Sequence, residues 1–199
     1  MSAAPPASAR RLLLVLSVLS ALTIVAAAIA VFIGSAPISA RGVIDALIGR
    51  GGDVEDLVVL GLRLPRIAAA LLAGGALAVA GVGFQALTRN PLADPSILGV
   101  SSGAAFAVVL AQLFGVGTTA VAVLGLTAFA FAGALCAAGA VYLIAASDGR
   151  LPLQTLLLAG VIVGLFFSAA ITVVISVVEF DRLAGVIHWM LGNLSAISP

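Results

Sequence analysis

Side chains able to do chemistry are few in this chain and widely spaced. One histidine, one cysteine, nine arginines, eight carboxylates and scattered hydroxyls make up the inventory, and there is no lysine. His188 stands beside Trp189 in the apolar stretch 183–193, with no second histidine, cysteine or carboxylate at metal-ligand spacing. Neither a catalytic triad nor a metal site is expected of it. The glycine loop that cradles nucleotide phosphates ends in a lysine, and that residue is missing. No enzyme activity, cofactor or metal is expected. Cys136 lies midway along an apolar run, where a buried, inert thiol is expected.

Two polar patterns remain. Ser168, Thr172 and Ser176 recur every four residues, and Ser101-Ser102 sit between Gly99 and Gly103. Such hydroxyls either line a polar path between helices or bond back to carbonyls of their own helix. Arg63-Leu-Pro-Arg66 stands directly before an apolar stretch, where arginines can anchor a helix end among lipid headgroups.

The elements that must position these residues follow from composition. Hydrophobic residues make up 63% of the chain and charged residues 9%, against about 45–50% and about 25% in soluble domains. The uncharged runs 12–40, 67–88, 95–147 and 151–178 all reach the roughly 20 residues that cross a bilayer. The third is long enough to fold back, and Gly115-Val-Gly117 is its breaker. An all-α integral membrane protein with about five spans is predicted, over 12–33, 64–88, 96–114, 118–146 and 152–178, in a single transmembrane domain 10–199 behind a disordered tail 1–9. Arg10-Arg11 and the leucines after them resemble a secretory leader, but the apolar run continues too far for a cleaved one. The net charge of +1 is dispersed, so no nucleic-acid partner is implied.

Local signals refine this plan. Helix 1 lacks polar interruptions and suits lipid contact. In the polar connection 34–62, Ser39 can cap a short surface helix carrying Val43, Ile44, Leu47 and Ile48, which Gly49, Gly51 and Gly52 can end. Helix 2 holds Gly74, Gly75, Gly81 and Gly83, and is expected to be buried and central because glycines let membrane helices approach closely. Asn90-Pro91 and Asp94-Pro95 are two helix-start signals at the following turn. Gly160 and Gly164 give the fifth span a second close-packing face. Arginine counts in alternate connections do not orient the bundle, although Arg10-Arg11 favours an inside N-terminus.

Arg63-Leu-Pro-Arg66, the segment Gly81-Val-Gly-Phe-Gln-Ala-Leu-Thr-Arg-Asn-Pro-Leu-Ala-Asp-Pro-Ser-Ile-Leu-Gly-Val-Ser-Ser-Gly-Ala104, and Leu156-Leu-Leu-Ala-Gly-Val161 closely resemble the FecCD family of ABC transporter permeases. These are importers of iron-siderophore complexes, haem and vitamin B12. The resemblance implies a dimerising or paired permease in the cell membrane, with its N-terminus in the cytoplasm, cytoplasmic ATPase subunits and an extracytoplasmic binding protein. It implies a ferric siderophore importer. It places Arg63 and Arg66 at the outer mouth, where arginines of the family pair with acidic residues of the binding protein, as the rigid guanidinium fork suits. It also places Asn90, Leu92, Ser147 and Asp148 at a cytoplasmic gate, and makes Ser101, Ser102, Ser168, Thr172 and Ser176 candidate pathway lining. Family members carry about ten transmembrane helices, so residues 1–199 are expected to represent an N-terminal half. The alternative is a truncated, non-transporting membrane protein serving as an assembly or oligomerisation module.

Overall fold

The computed structural model describes residues 8–114, 120–146, 150–177 and 180–192, with the side chains of 120–124, 180–183 and 188 excluded. The described residues form helices joined by turns: α1 (Ala9–Phe32), α2 (Ala40–Leu47), α3 (Asp53–Asp56), a π-helical segment Leu57–Arg63, α4 (Leu64–Thr88), a 3-10 turn Pro95–Leu98, α5 (Val100–Leu113), α6 (Ala120–Ala145), α7 (Leu153–Val177) and α8 (Phe180–Met190). Four stretches are long and apolar enough to cross a membrane, namely Ala9–Phe32, Asp53–Thr88, Gly125–Ala145 and Leu153–Val177. The chain is a multi-pass membrane protein. Helix α5 falls short of the expected 96–114 because Gly99 adopts a left-handed φ of 70° and separates the 3-10 turn from α5. Its 14 residues span about 21 Å, less than the roughly 30 Å hydrocarbon layer.

The chain divides into two compact units, one running to Gly74 and one beginning at Gly75. In the first, α1 starts three residues earlier than expected, because the Ser8 side chain accepts from the Arg11 amide. Val31 is its one buried residue, as suits a lipid-facing helix. Ser39 caps α2, accepting the Gly42 amide at 3.1 Å, and Gly49 ends it at a left-handed φ of 71°. Val43 and Ala46 of α2 join Val31 and Val59 in a small core. Ile44, Leu47 and Ile48 stay exposed, which leaves an apolar strip for the membrane surface.

The second unit packs α5 against α6 and α7. Gly103 and Gly133 let the α5 and α6 backbones touch, for a Cβ added at Gly103 would lie 2.5 Å from Ala137 Cβ and 2.7 Å from the Gly133 carbonyl. Gly160 does the same for α7, where an added Cβ would stand 2.5 Å from the Ile97 carbonyl. Ala137, Val141, Ala145, Ala159 and Val163 form one core cluster, and Val109, Ile171 and Val186 another. Phe106 and Phe167 meet between α5 and α7 with ring centres 5.4 Å apart and planes tilted by 40°.

Two expectations are corrected here. Helix α4 is not buried: Phe84 is its one buried residue, and open space surrounds Gly74, Gly75, Gly81 and Gly83. Close packing instead falls to glycines of α5, α6 and α7, whose neighbours lie in this chain. Cys136 is exposed, on an apolar face of α6 bordered by Phe106, Phe129 and Phe167. An apolar side chain of a membrane helix can face lipid without protein burial, so hydrophobicity did not imply interior position.

Candidate functional site

The two arginines before α4 have different surroundings. Arg63 is 8% exposed, and its guanidinium donates to the Val31 carbonyl and the Ala36 carbonyl, both at 2.7 Å. The Val31 carbonyl belongs to the last turn of α1, where helix acceptors lack partners, and the Ala36 carbonyl, just beyond the helix, also accepts the Ile38 amide. Helix α1 has no basic residue in its own last turn, so Arg63 supplies the cation that a helix C-terminus favours. Gly34 makes room for it, since an added Cβ there would lie 2.8 Å from Arg63 Nε. Arg66 is exposed. The two arginines line one cleft of about 240 Å³ with Gly34, Ser35, Ala36 and Ile67.

At the other end of α4, Arg89 takes a left-handed φ of 50° and the Asn90 amide bonds back to the Gln85 carbonyl at 3.2 Å. This helix ending normally uses glycine, so no sequence signal announced it. The Asn90 side chain accepts from the Leu92 amide at 2.9 Å. That bond closes a turn in place of the expected helix start. Asp94 does open a helical turn, accepting the Ser96 amide at 2.7 Å, and its bonds to Ser96 hold its carboxyl below the ordinary value of 3.8. Leu92 projects from the turn at 89% exposure. Ser147 and Asp148 lie outside the described residues.

The hydroxyls divide as well. Thr172 donates to the Ser168 carbonyl at 3.0 Å and Ser176 to the Val173 carbonyl at 2.7 Å, both within α7. Ser168 instead reaches across to Ser102 of α5, at 3.4 Å between the oxygens. Ser101, Ser102 and Ser168 border a cavity of about 600 Å³ that Ile171, Trp189 and Met190 complete. Ser101 also borders a second cavity, of about 650 Å³, beside Gln85, Asp94 and Ser96. Among the described residues, no charged side chain lines the first cavity. Its size suits a small-molecule ligand, and its hydroxyls can exchange hydrogen bonds with a polar, low-charge surface.

Sequence reasoning missed helix α8 and with it the placement of Trp189. An apolar eleven-residue helix is too short to cross a membrane. Nor did the sequence announce the π-helical turns or the Arg63 bonds, which reach carbonyls 32 and 27 positions away.

Comparison with known proteins agrees with this architecture. The sequence pattern of the FecCD transport family matches residues 22–199. The chain is 41% identical over 180 residues to the ferric enterobactin transport system permease protein FepD of Escherichia coli strain K12, covering 87% of this chain and 51% of that one. It is 43% identical over 141 residues to the iron(3+)-hydroxamate import system permease protein FhuB of Bacillus subtilis strain 168, covering 70% and 35%. A cobalamin import system permease protein, BtuC of Halobacterium salinarum, is 41% identical over 142 residues, covering 71% and 37%. Among solved structures, a metal-chelate type ABC transporter in an inward-facing conformation superposes with a TM-score of 0.72 at 28% identity, covering 92% of this chain and 55% of that chain. The chain spans about half the length of the curated relatives it matches. The helices, the Arg63 to Ala104 stretch and these matches together make the chain a member of the FecCD transport family.

Proposed function

We propose that this chain forms part of the membrane-spanning permease of an ABC importer for a ferric siderophore, and gives the chelate a path without performing chemistry on it. The observation that carries the reading is the hydroxyl-bordered cavity between α5, α7 and α8, which no charged side chain lines among the described residues. A formal charge placed in an apolar, membrane-embedded setting is costly. A ferric trihydroxamate, whose three hydroxamate anions offset the charge of the metal, avoids that cost and can bond to Ser101, Ser102 and Ser168. Relatives named for ferric enterobactin, hydroxamate and citrate support the choice. All are transporter permeases, so the alternative of an assembly module is not favoured.

In this reading the N-terminus lies in the cytoplasm, a second permease subunit completes the path, and energy comes from separate cytoplasmic ATPase subunits. An extracytoplasmic binding protein delivers the chelate and docks at the outer end of α4. Arg66 is its contact, because its guanidinium is exposed, whereas that of Arg63 is occupied by carbonyls. Asn90, Leu92, Ser147 and Asp148 form the inner gate, with Asn90 holding the turn from which Leu92 projects. The test is uptake of radioactive iron as its trihydroxamate chelate by cells that depend on this permease. Uptake should fall when Ser102 and Ser168 are both replaced by leucine, with membrane levels unchanged. Full uptake in that double variant would sink the proposed path.

A further inference from the structure

The cleft before α4 holds two arginines doing different work. Arg63 forms part of its lining with its charge turned onto two backbone carbonyls, and no carboxylate pairs with it among the described residues. Carbonyls bear partial charge only, so the guanidinium keeps a full positive charge within the cleft. Arg66 stands one helical turn on, exposed and bordering the same cleft. The bonds of Arg63 tie the end of α1 to the start of α4, across residues separated by 32 and 27 positions. They thereby set where the α4 terminus, and Arg66 on it, can stand. The preceding π-helical segment Leu57–Arg63 widens the backbone just where Arg63 must turn inward, a local distortion that often accompanies functional placement.

We propose that Arg63 is a positioning residue: it shapes the cleft and orients Arg66 toward a carboxylate of an acidic partner, without bonding that carboxylate itself. The proposal rests on the docking reading of Arg66. Glycine at position 34 is part of the same device. A methyl group there would meet the guanidinium at 2.8 Å from Nε and 3.0 Å from Cζ, so alanine must displace the Arg63 guanidinium from its place beside Gly34 while leaving its charge in the protein.

That separation of charge from position supplies the test. The chain is placed in lipid nanodiscs, and binding of a fluorescent hexaglutamate peptide is followed by anisotropy at low salt. Arg66→Gln should weaken binding about fivefold, the scale of one exposed ion pair. Gly34→Ala and Arg63→Met should each weaken it comparably in the wild-type background. Neither should have any further effect once Arg66 is glutamine, because a residue acting only through another shows full coupling. If Arg66→Gln leaves binding unchanged, the docking reading itself fails. If Arg66→Gln weakens binding but Gly34→Ala does not, or if the Gly34→Ala and Arg66→Gln losses add, the positioning role is overturned. Reaction of single arginines with phenylglyoxal, read by mass spectrometry, guards against unfolding: Arg63 should be protected in the wild type and reactive in folded Gly34→Ala. Should Arg63→Met fail to fold, the Gly34→Ala cycle decides alone.

Discussion

Replacing Gly103 by alanine should cost far more than the same change at Gly81, although both glycines sit on apolar helices. At Gly103 the new Cβ would meet Ala137 Cβ at 2.5 Å and the Gly133 carbonyl at 2.7 Å, whereas ordinary contact between carbon atoms begins near 3.5 Å. Helices α5 and α6 must therefore separate by about 1 Å. A gap of that size forfeits up to about half of each atom-pair attraction, and each attraction is worth about 0.1–0.2 kcal/mol. If roughly 40 pairs are affected, the number a single buried leucine makes, the loss is about 3 kcal/mol. That agrees with the roughly 1–3 kcal/mol typical of overpacking. At Gly81 nothing lies within contact of the added methyl, and alanine is the better helix former by up to about 1 kcal/mol. The assay is reversible unfolding in mixed detergent micelles, with SDS mole fraction as denaturant and helicity as signal. Equal midpoints for Gly103→Ala and Gly81→Ala would refute the reasoning, because the two sites differ only in what the methyl meets.

Other consequences can be measured with the same protein. Arg63→Met should lower stability by about 2–4 kcal/mol, since it removes two charge-assisted bonds and leaves the Val31 carbonyl unpaired, while exposed Arg66→Ala should stay within about 0.5 kcal/mol; unfolding midpoints compare them. Trp189 is the only tryptophan of the chain and borders the cavity with Ser168. A ferric trihydroxamate should quench its fluorescence saturably, and Ser168→Leu should abolish saturation; quenching that stays linear in the wild type would remove the chelate from this cavity. The Asp94 carboxyl lies below its ordinary value of 3.8 because Ser96 bonds its charged form. Its contribution to the turn is therefore complete above that value and is lost as pH falls through the lower folded-state value. Protection of the Ser96 amide, measured against its intrinsic exchange rate at each pH, should fall over that acidic range in the wild type and be absent at every pH in Asp94→Ala.

Signals that act over a few residues were readable directly. Ser39 and Asp94 bond to amides two or three positions ahead, and Gly49 ends α2 at the left-handed φ that glycine permits. Where a local signal had two possible uses, the outcome depended on neighbours. Asn90-Pro91 looked like Asp94-Pro95, yet it closes a turn. Ser168 looked like Thr172 and Ser176, yet it alone of the three reaches another helix. In each case similar side chains have more than one possible partner, and only the packed chain decides which partner is near.

The same division covers the whole protein. Mean hydropathy, run lengths and the Arg63 to Ala104 stretch determined a multi-pass helical membrane protein and its family, because a bilayer accepts apolar runs with internally bonded backbones and little else. Composition could not tell which glycines touch another helix, since Gly81 and Gly103 are alike until α6 arrives beside one of them. Nor could it separate Arg63 from Arg66. Identical guanidiniums one helical turn apart have different surroundings because the first reaches the Val31 carbonyl in the last turn of α1 and the Ala36 carbonyl beyond it, while the second stays exposed.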